Sequence, residues 1–307
     1  MSDAQAELLS PIDAATLWPQ LHRLGTEVAA VRLGESLLVR AGVAATGLTR
    51  LPRMPRTILL GIRKRLGYRG VLVARELAGG QSWEVVSLRL HREKDDGSVQ
   101  TLLDEAAREI ARRGGRGAFL RMLEGSPHQA GATQAGFAAY TSERLYAPPP
   151  GGSSPGGAGP FREARASDGA GIFRLYCRAV PESVRRQEAL TQQEWRAVHD
   201  LYGAEREFVR DEGGSLVVWC GLTSHEAHVL LSEGEGDLAG EALACIGAHL
   251  GESGTLVAAG YQPALERAAL ERRYLPLGRR LVLGRRLALL RRAEERVALA
   301  DTFAVPQ

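Results

Sequence analysis

The sequence predicts a mixed α/β fold used twice in tandem, and three observations carry that expectation. Residues 147–160 contain only Ala, Pro, Gly and Ser. Pro fixes φ and lacks an N–H, and Gly loses the most freedom on folding, so this run joins neither a helix nor a ladder and reads as a spacer. On each side the same order recurs: an opening helix, a strand hairpin, an amphipathic helix, a short strand, a second helix and closing strands. The 307 residues suffice for two domains that each bury a full core. The expected division is 1–146, a linker 147–160, and 161–307.

In the first half, Ser10-Pro11-Ile12-Asp13 opens a helix with a side-chain cap, Pro at the first helical position and an acid facing the unpaired N–H groups. The runs 70–76 and 82–90 are β-rich and flank a Gly-bearing turn, which reads as a hairpin. Val99, Leu102, Leu103, Ala106, Ala107 and Ile110 form one stripe at helical spacing, ended by Arg112-Arg113-Gly114. Residues 117–123 then read as a strand, 126–135 as a helix and 136–146 as closing strands. In the second half, 161–168 reads as a strand and cap, followed by a helix through Ile172, Leu175, Tyr176 and Ala179. Thr191 and Glu194 make a capping box, with Trp195 and Val198 inward. Strands are expected at 205–210, 215–222 and 227–231, a helix capped by Asp237, a strand at 255–261, a helix at 263–273 and a final strand pair at 277–290. Gly278-Arg-Arg-Leu and Gly284-Arg-Arg-Leu read as two edge or turn repeats.

Composition limits the function classes. No stretch approaches the roughly 20 apolar residues of a membrane span, and the N-terminus lacks the basic and apolar regions of a signal peptide, so a cytoplasmic protein is expected. Cys177, Cys220 and Cys245 are odd in number, form no CxxC pair and read as buried thiols. His225 and His228 would project to opposite faces of a strand, so no metal site is expected. The formal charge of +3 does not argue for a polyanion partner. Lys64 and Lys94 are the only lysines and Asn is absent. This bias runs along the whole chain, as a GC-rich coding sequence would produce. Seven basic residues and no acid lie between Arg50 and Arg69. That segment reads either as an anion-docking surface or as a strand or helix end whose arginines pair with acids elsewhere. No aromatic-basic motif accompanies it, so nucleic acid is not the expected partner.

The hairpin, the strand entering a Gly-containing loop that starts a helix, the further strand, the short helix ending in Gly136-Phe137 and the strand ending in Glu143-Arg144-Leu145-Tyr146 resemble the GCN5-related N-acetyltransferase (GNAT) superfamily. The resemblance covers residues 70–146 and, with weaker motifs, the second half. It implies acetyl-CoA in a V between two splayed parallel strands, with its pyrophosphate on the N–H groups of the following helix, where the dipole end is positive. Carried onto this chain, it implies cofactor contacts at the backbone of Val86, Ser87, Leu88, Arg89 and Leu90 and at Lys94, Gly97 and Ser98. The second-half counterpart, residues 233–237, brings three acids to its loop. Arg112-Arg-Gly-Gly-Arg-Gly117 matches the family's phosphate loop literally, but it follows a helix and precedes a strand. Where many members carry a Tyr as general acid, this chain has Ala132 and Ala269, so no catalytic residue is assigned. The resemblance implies an acyl-CoA-dependent N-acyltransferase acting on a small amine or protein amine, with at least one domain inactive. The alternative is a non-catalytic relative that binds a metabolite or protein, its domains paired within one chain or between copies.

Overall fold

The computed structural model describes residues 5–10, 13, 17, 24, 26–30, 56–64, 67–77, 80–91, 97–150, 160–199, 204–223, 225–233, 237–250 and 254–287. Before the linker run β1 (Ala6–Leu8), β2 (Thr26–Ala30), β3 (Thr57–Lys64), β4 (Gly67–Glu76), β5 (Ser82–Leu90), α1 (Ser98–Arg112), β6 (Gly117–Leu123), α2 (Gln129–Gln134) and β7 (Ala138–Ala147). After it come β8 (Phe161–Glu163), α3 (Gly169–Ala179), α4 (Glu182–Glu188), α5 (Gln192–His199), β9 (Arg206–Glu212), β10 (Ser215–Leu222), β11 (Glu226–Leu231), α6 (Leu238–Gly247), β12 (Thr255–Ala259), α7 (Pro263–Glu271) and β13 (Leu275–Arg286).

These strands form one continuous sheet, in the order β1-β3-β4-β5-β6-β13-β7-β12-β11-β10-β9-β8, with β2 added to β5. Each half contributes an antiparallel run followed by one parallel pair, β5 with β6 and β11 with β12, connected through α1 and α6. The halves interleave at the centre. β13, from the end of the chain, lies between β6 and β7, and β7 in turn lies between β13 and β12.

Several expectations change against this topology. Each set of closing strands is a single long strand, because β7 and β13 pair with each other and with the opposite half instead of folding back. The Gly278 and Gly284 repeats therefore lie in an interior strand with partners on both sides, not at an edge. Residues 126–128 form a turn before α2, and α4 is an additional helix. Cys220 and Cys245 are buried, but Cys177 is only half-buried. The basic segment contains β3, and arginines in and just before it pair with acids of the chain: Arg56 with Glu76 at 3.2 Å, and Arg63 with Glu7 and, at 2.8 Å, with Asp13. Arg50, Arg53 and Arg65 lie outside the described residues, as do Lys94 and the side chain of Val198.

The residues of the predicted caps bond as expected, and the helix that Ser10-Pro11-Ile12-Asp13 was expected to open lies, apart from Asp13 and Leu17, outside the described residues. Ser10 and Asp13 exchange hydrogen bonds, as do Thr191 and Glu194, and Asp237 accepts from the Gly240 N–H at 2.8 Å. The whole expected stripe of α1 is buried, each large aliphatic contributing about 1.5–3 kcal/mol against the sheet. On the opposite face α3 and α5 pack Tyr176 and Trp195 into a cluster that includes Leu77 and Phe119 of the first half. That helical layer spans both halves.

The ends of α2 and α7 are built alike. Gly136 donates to Thr133 O and Phe137 to Ala132 O; Arg273 donates to Leu270 O and Tyr274 to Ala269 O. This is the Schellman arrangement, whose C′ residue sits at positive φ: 74° at Gly136 and 61° at Arg273. An L side chain is strained there, so Arg273→Gly is expected to stabilise the protein by up to about 1 kcal/mol, and Gly136→Ala to destabilise it by a similar amount. Urea denaturation of both variants checks the pair, and a loss of stability in Arg273→Gly would contradict the strain.

Candidate active site

Parallel strands joined through a helix must splay where their pairing ends, and this happens twice. β5 and β6 pair from Ser82 opposite Gly117 to Val85 opposite Leu120, and then part. The residues expected to hold cofactor begin at that point. However, β2 runs antiparallel along the released edge, with Ala30 opposite Ser87, Ala29 opposite Leu88, Glu27 opposite Arg89 and Thr26 opposite Leu90. With β4 on the other side, this stretch of β5 is paired on both edges. Val86, Leu88 and Leu90 are core, Ser87 is buried and Arg89 is half-buried. A strand of the chain itself therefore lies where the pantetheine was expected. Gly97 caps α1 at φ 87° and Ser98 is buried at its first turn.

The second pair parts after His228 opposite Val257. Here the released edge of β11 faces a cavity of about 470 Å³ walled by Leu231, Ser232, the start of α6 at Asp237–Ala239, and the start of α7 from Gln262 to Arg267. The buried Gln262 amide, turned to satisfy both its groups, donates to Val229 O at 3.1 Å and accepts from Leu231 N at 3.2 Å. Glu233, Asp237 and Glu271 share the walls with Arg267.

Two further cavities share wall residues with it in turn. Tyr261 lines both the cofactor-sized cavity and a small one of about 20 Å³, bounded by Val229, Ala259, Arg121, Glu143, His228 and Glu188. That volume suits one water molecule. Glu188, at the end of α4, in turn lines a cleft of about 300 Å³ that opens beside Arg116 and Arg286.

Glu188 is the chemically distinctive group of this series. Tyr176 donates to one carboxylate oxygen at 3.0 Å and Tyr140 to the other at 3.2 Å. Burial pushes its pKa up to about 7, against the two phenol hydrogen bonds and the charge of Arg121, and Glu143 pushes the same way as burial. Nothing in the sequence around Gln187-Glu188-Ala189 marks this residue. It becomes a site only because α4, β7 and α3 bring one carboxylate and two phenols together.

Beside it a ladder of alternating charges crosses the sheet. Arg75 on β4 pairs with Glu84 on β5 at 2.9 Å, Glu84 with Arg121 on β6 at 2.7 Å, and Arg121 with Glu143 on β7 at 3.3 Å. Glu143 pairs with Arg280 on β13, which reaches Glu226 on β11 at 3.1 Å, and Glu226 pairs with His228 at 3.3 Å. Arg75, Glu84, Arg121, Glu143, Arg280 and His228 are all buried. Burial alone would raise the Glu143 pKa, but Arg280 and Arg121 hold it down to about 2. Glu143 and Arg280 stand opposite each other in register and occupy equivalent places in the two halves.

Ala132 and Ala269 are fully buried in helix cores, and neither offers a proton at a split. Among the described residues no group of His, Cys, Asp and Glu could hold a metal ion. No helix among them is long and apolar enough to cross a membrane.

Two parallel pairs, each splayed ahead of a helix and set in one mixed sheet, define the fold of the GCN5-related N-acetyltransferases in tandem arrangement. Solved structures share it along nearly the whole chain. A tandem GNAT protein from the clavulanic acid biosynthesis pathway matches over 92% of this chain and 98% of its own, with a TM-score of 0.53 and 14% identity. A structure from Pyrococcus horikoshii assigned as an acetyltransferase matches over 94% and 91%, with a TM-score of 0.55 and 9% identity. Searches of protein-family models and of curated proteins returned no match. At these identities the likeness is one of fold.

Proposed function

We propose that the chain is an acyl-CoA-dependent N-acyltransferase, made of two acetyltransferase-like units, 1–146 and 161–307, that exchange their closing strands, and that the second unit carries the reaction. The observation that supports this most is that three cavities, from the split of β11 and β12 to the cleft beside Arg116 and Arg286, are neighbours through shared walls at Tyr261 and Glu188. The released edge of β11 already bonds an amide, that of Gln262, through one carbonyl and one N–H. A pantetheine arm carries amides of the same kind, so the donor and acceptor set fits it. Bound there, a CoA thioester would supply an activated acyl carbon. Glu188 takes the proton lost by the attacking amine as the C–N bond forms, directly or through one water. In this reading a backbone N–H at the split holds the carbonyl oxygen, and Tyr261, which lines the cavity at the split and the small one beside it, protonates the departing sulfur. A cytoplasmic setting fits an acyl-CoA donor.

One specific observation favours the non-catalytic reading instead. Gln262 on the second edge and β2 on the first leave neither edge open, and three carboxylates face the place a pyrophosphate would take. Calorimetry with acetyl-CoA on the full chain separates the two readings. The wild type is expected to bind. Gln262→Ala is expected to tighten binding by up to about tenfold, because the two backbone groups it leaves unpaired cost about 1–2 kcal/mol in the free protein. Gly97→Glu, in the first unit, is expected to leave affinity unchanged. Binding abolished by Gly97→Glu and indifferent to Gln262→Ala would return the site to β5, and no binding at all would support the non-catalytic reading.

A further inference from the structure

We propose that the outer cleft is the acceptor site and selects an amine that also carries an anionic group, a carboxylate or a phosphate. This rests on the reading of Glu188 as the group that receives the amine. The cleft is assembled from both units: Gln81, Ser82 and Arg116 come from the ends of β5 and β6, Gln187 and Glu188 from α4, and Arg286 from β13. Arg116 and Arg286 are rooted side by side, since Arg286 pairs with Gly117 across the ladder and the next residue, Leu287, donates to Arg116 O at 2.9 Å. Arg116 has no ion-pair partner among the described residues. Arg286 donates to a backbone carbonyl, that of Arg186, which fixes its direction, and its charge helps to hold the Glu194 carboxyl below its usual range without forming an ion pair among the described residues. The carboxylate on the same wall, Glu194, is engaged as the cap of α5, accepting from Leu190 N, Thr191 N and Thr191 Oγ1.

Two guanidinium groups that line one cleft from adjacent backbone positions favour an anion between them, which accepts several hydrogen bonds. Of the two acids that line the cleft, Glu194 is taken up as the cap of α5, which leaves Glu188, at the far end, to favour a cationic or neutral amine. The polarity of the cleft therefore runs from an anion subsite at the surface to an amine subsite at the splayed strands. A volume of about 300 Å³ holds a small metabolite or the end of a chain, not a folded domain.

Calorimetry on the full chain in the presence of free CoA tests this with two matched pairs, β-alanine against β-alaninamide and phosphoethanolamine against ethanolamine. At least one anionic member is expected to bind tenfold or more tightly than its neutral partner, and which pair shows the larger ratio decides between carboxylate and phosphate. In the Arg116→Ala/Arg286→Ala variant the ratio is expected to fall towards one while the acetyl-CoA titration is unchanged. Arg116→Ala alone, at an exposed site, serves if the double variant does not fold. Equal affinity within both pairs, no binding of any of the four, or a preference that survives the variants would overturn the proposal. Discrimination among amines by a protein that binds no acetyl-CoA would leave the subsite standing and remove the acyl-transfer reading.

Discussion

Replacing Glu188 by Gln is expected to lower turnover of any accepted amine by about 10²- to 10⁴-fold, the usual contribution of a positioned general base, while acetyl-CoA affinity stays within twofold. In the wild type kcat/KM should rise with pH and level off above about 7, because the base works only when ionised and its pKa is pushed up to about 7. That rising limb should vanish in Glu188→Gln. Steady-state rates of CoA release between pH 5.5 and 9 give both readings. A variant as fast as the wild type would assign proton removal to another group. The same shift predicts a stability effect of defined sign. A carboxyl whose folded pKa lies above its unfolded one binds its proton more tightly in the fold. The stability it contributes is therefore complete below about pH 4.5 and is lost as pH rises through about 7. Glu188→Gln should remove that decline and be relatively more stable at pH 8 than at pH 5.

The second large effect concerns the charge ladder. Glu143→Ala is expected to cost about 3–5 kcal/mol, because it leaves Arg121 and Arg280 buried around a missing anion. Substituting Glu143 and both arginines together by apolar residues of similar volume should recover most of that loss. Its pH signature is opposite to that of Glu188. With its pKa held at about 2, Glu143 contributes stability that is fully present above its unfolded value near 4.5 and lost as pH falls through 2. Urea denaturation of wild type and variants at pH 3 and pH 7 checks both claims. Equal stability of Glu143→Ala and wild type at pH 7 would mean that water, not protein, solvates these groups.

Much of the element order could be read from local patterns. The stripe of α1 and the caps at Thr191 and Asp237 each depend on residues within a few positions of one another, and each forms as expected. The exchange of β7 and β13 depends on pairings between residues more than a hundred positions apart, such as Glu143 with Arg280. A β-rich run states that a strand will form and not which edge it will join. The candidate site was less legible for the same reason. Glycines and a strand point to the first unit, but the occupation of its edge by residues 26–30 is a tertiary event with no local signature. Glu188 looks like any acid at the end of a surface helix until Tyr140 and Tyr176 close over it.

The position of β13 has a consequence for synthesis of the protein. When residue 147 has been translated, β6 and β7 exist with nothing between them, and the strand that fills the gap is the last one in the sheet to be made. At about 5–20 residues per second, the nascent first unit waits on the order of ten seconds with an unpaired inner edge beside the ribosome. Such an edge is a template for pairing with other chains. Premature termination within residues 161–274 should therefore yield aggregating fragments and not a smaller working protein.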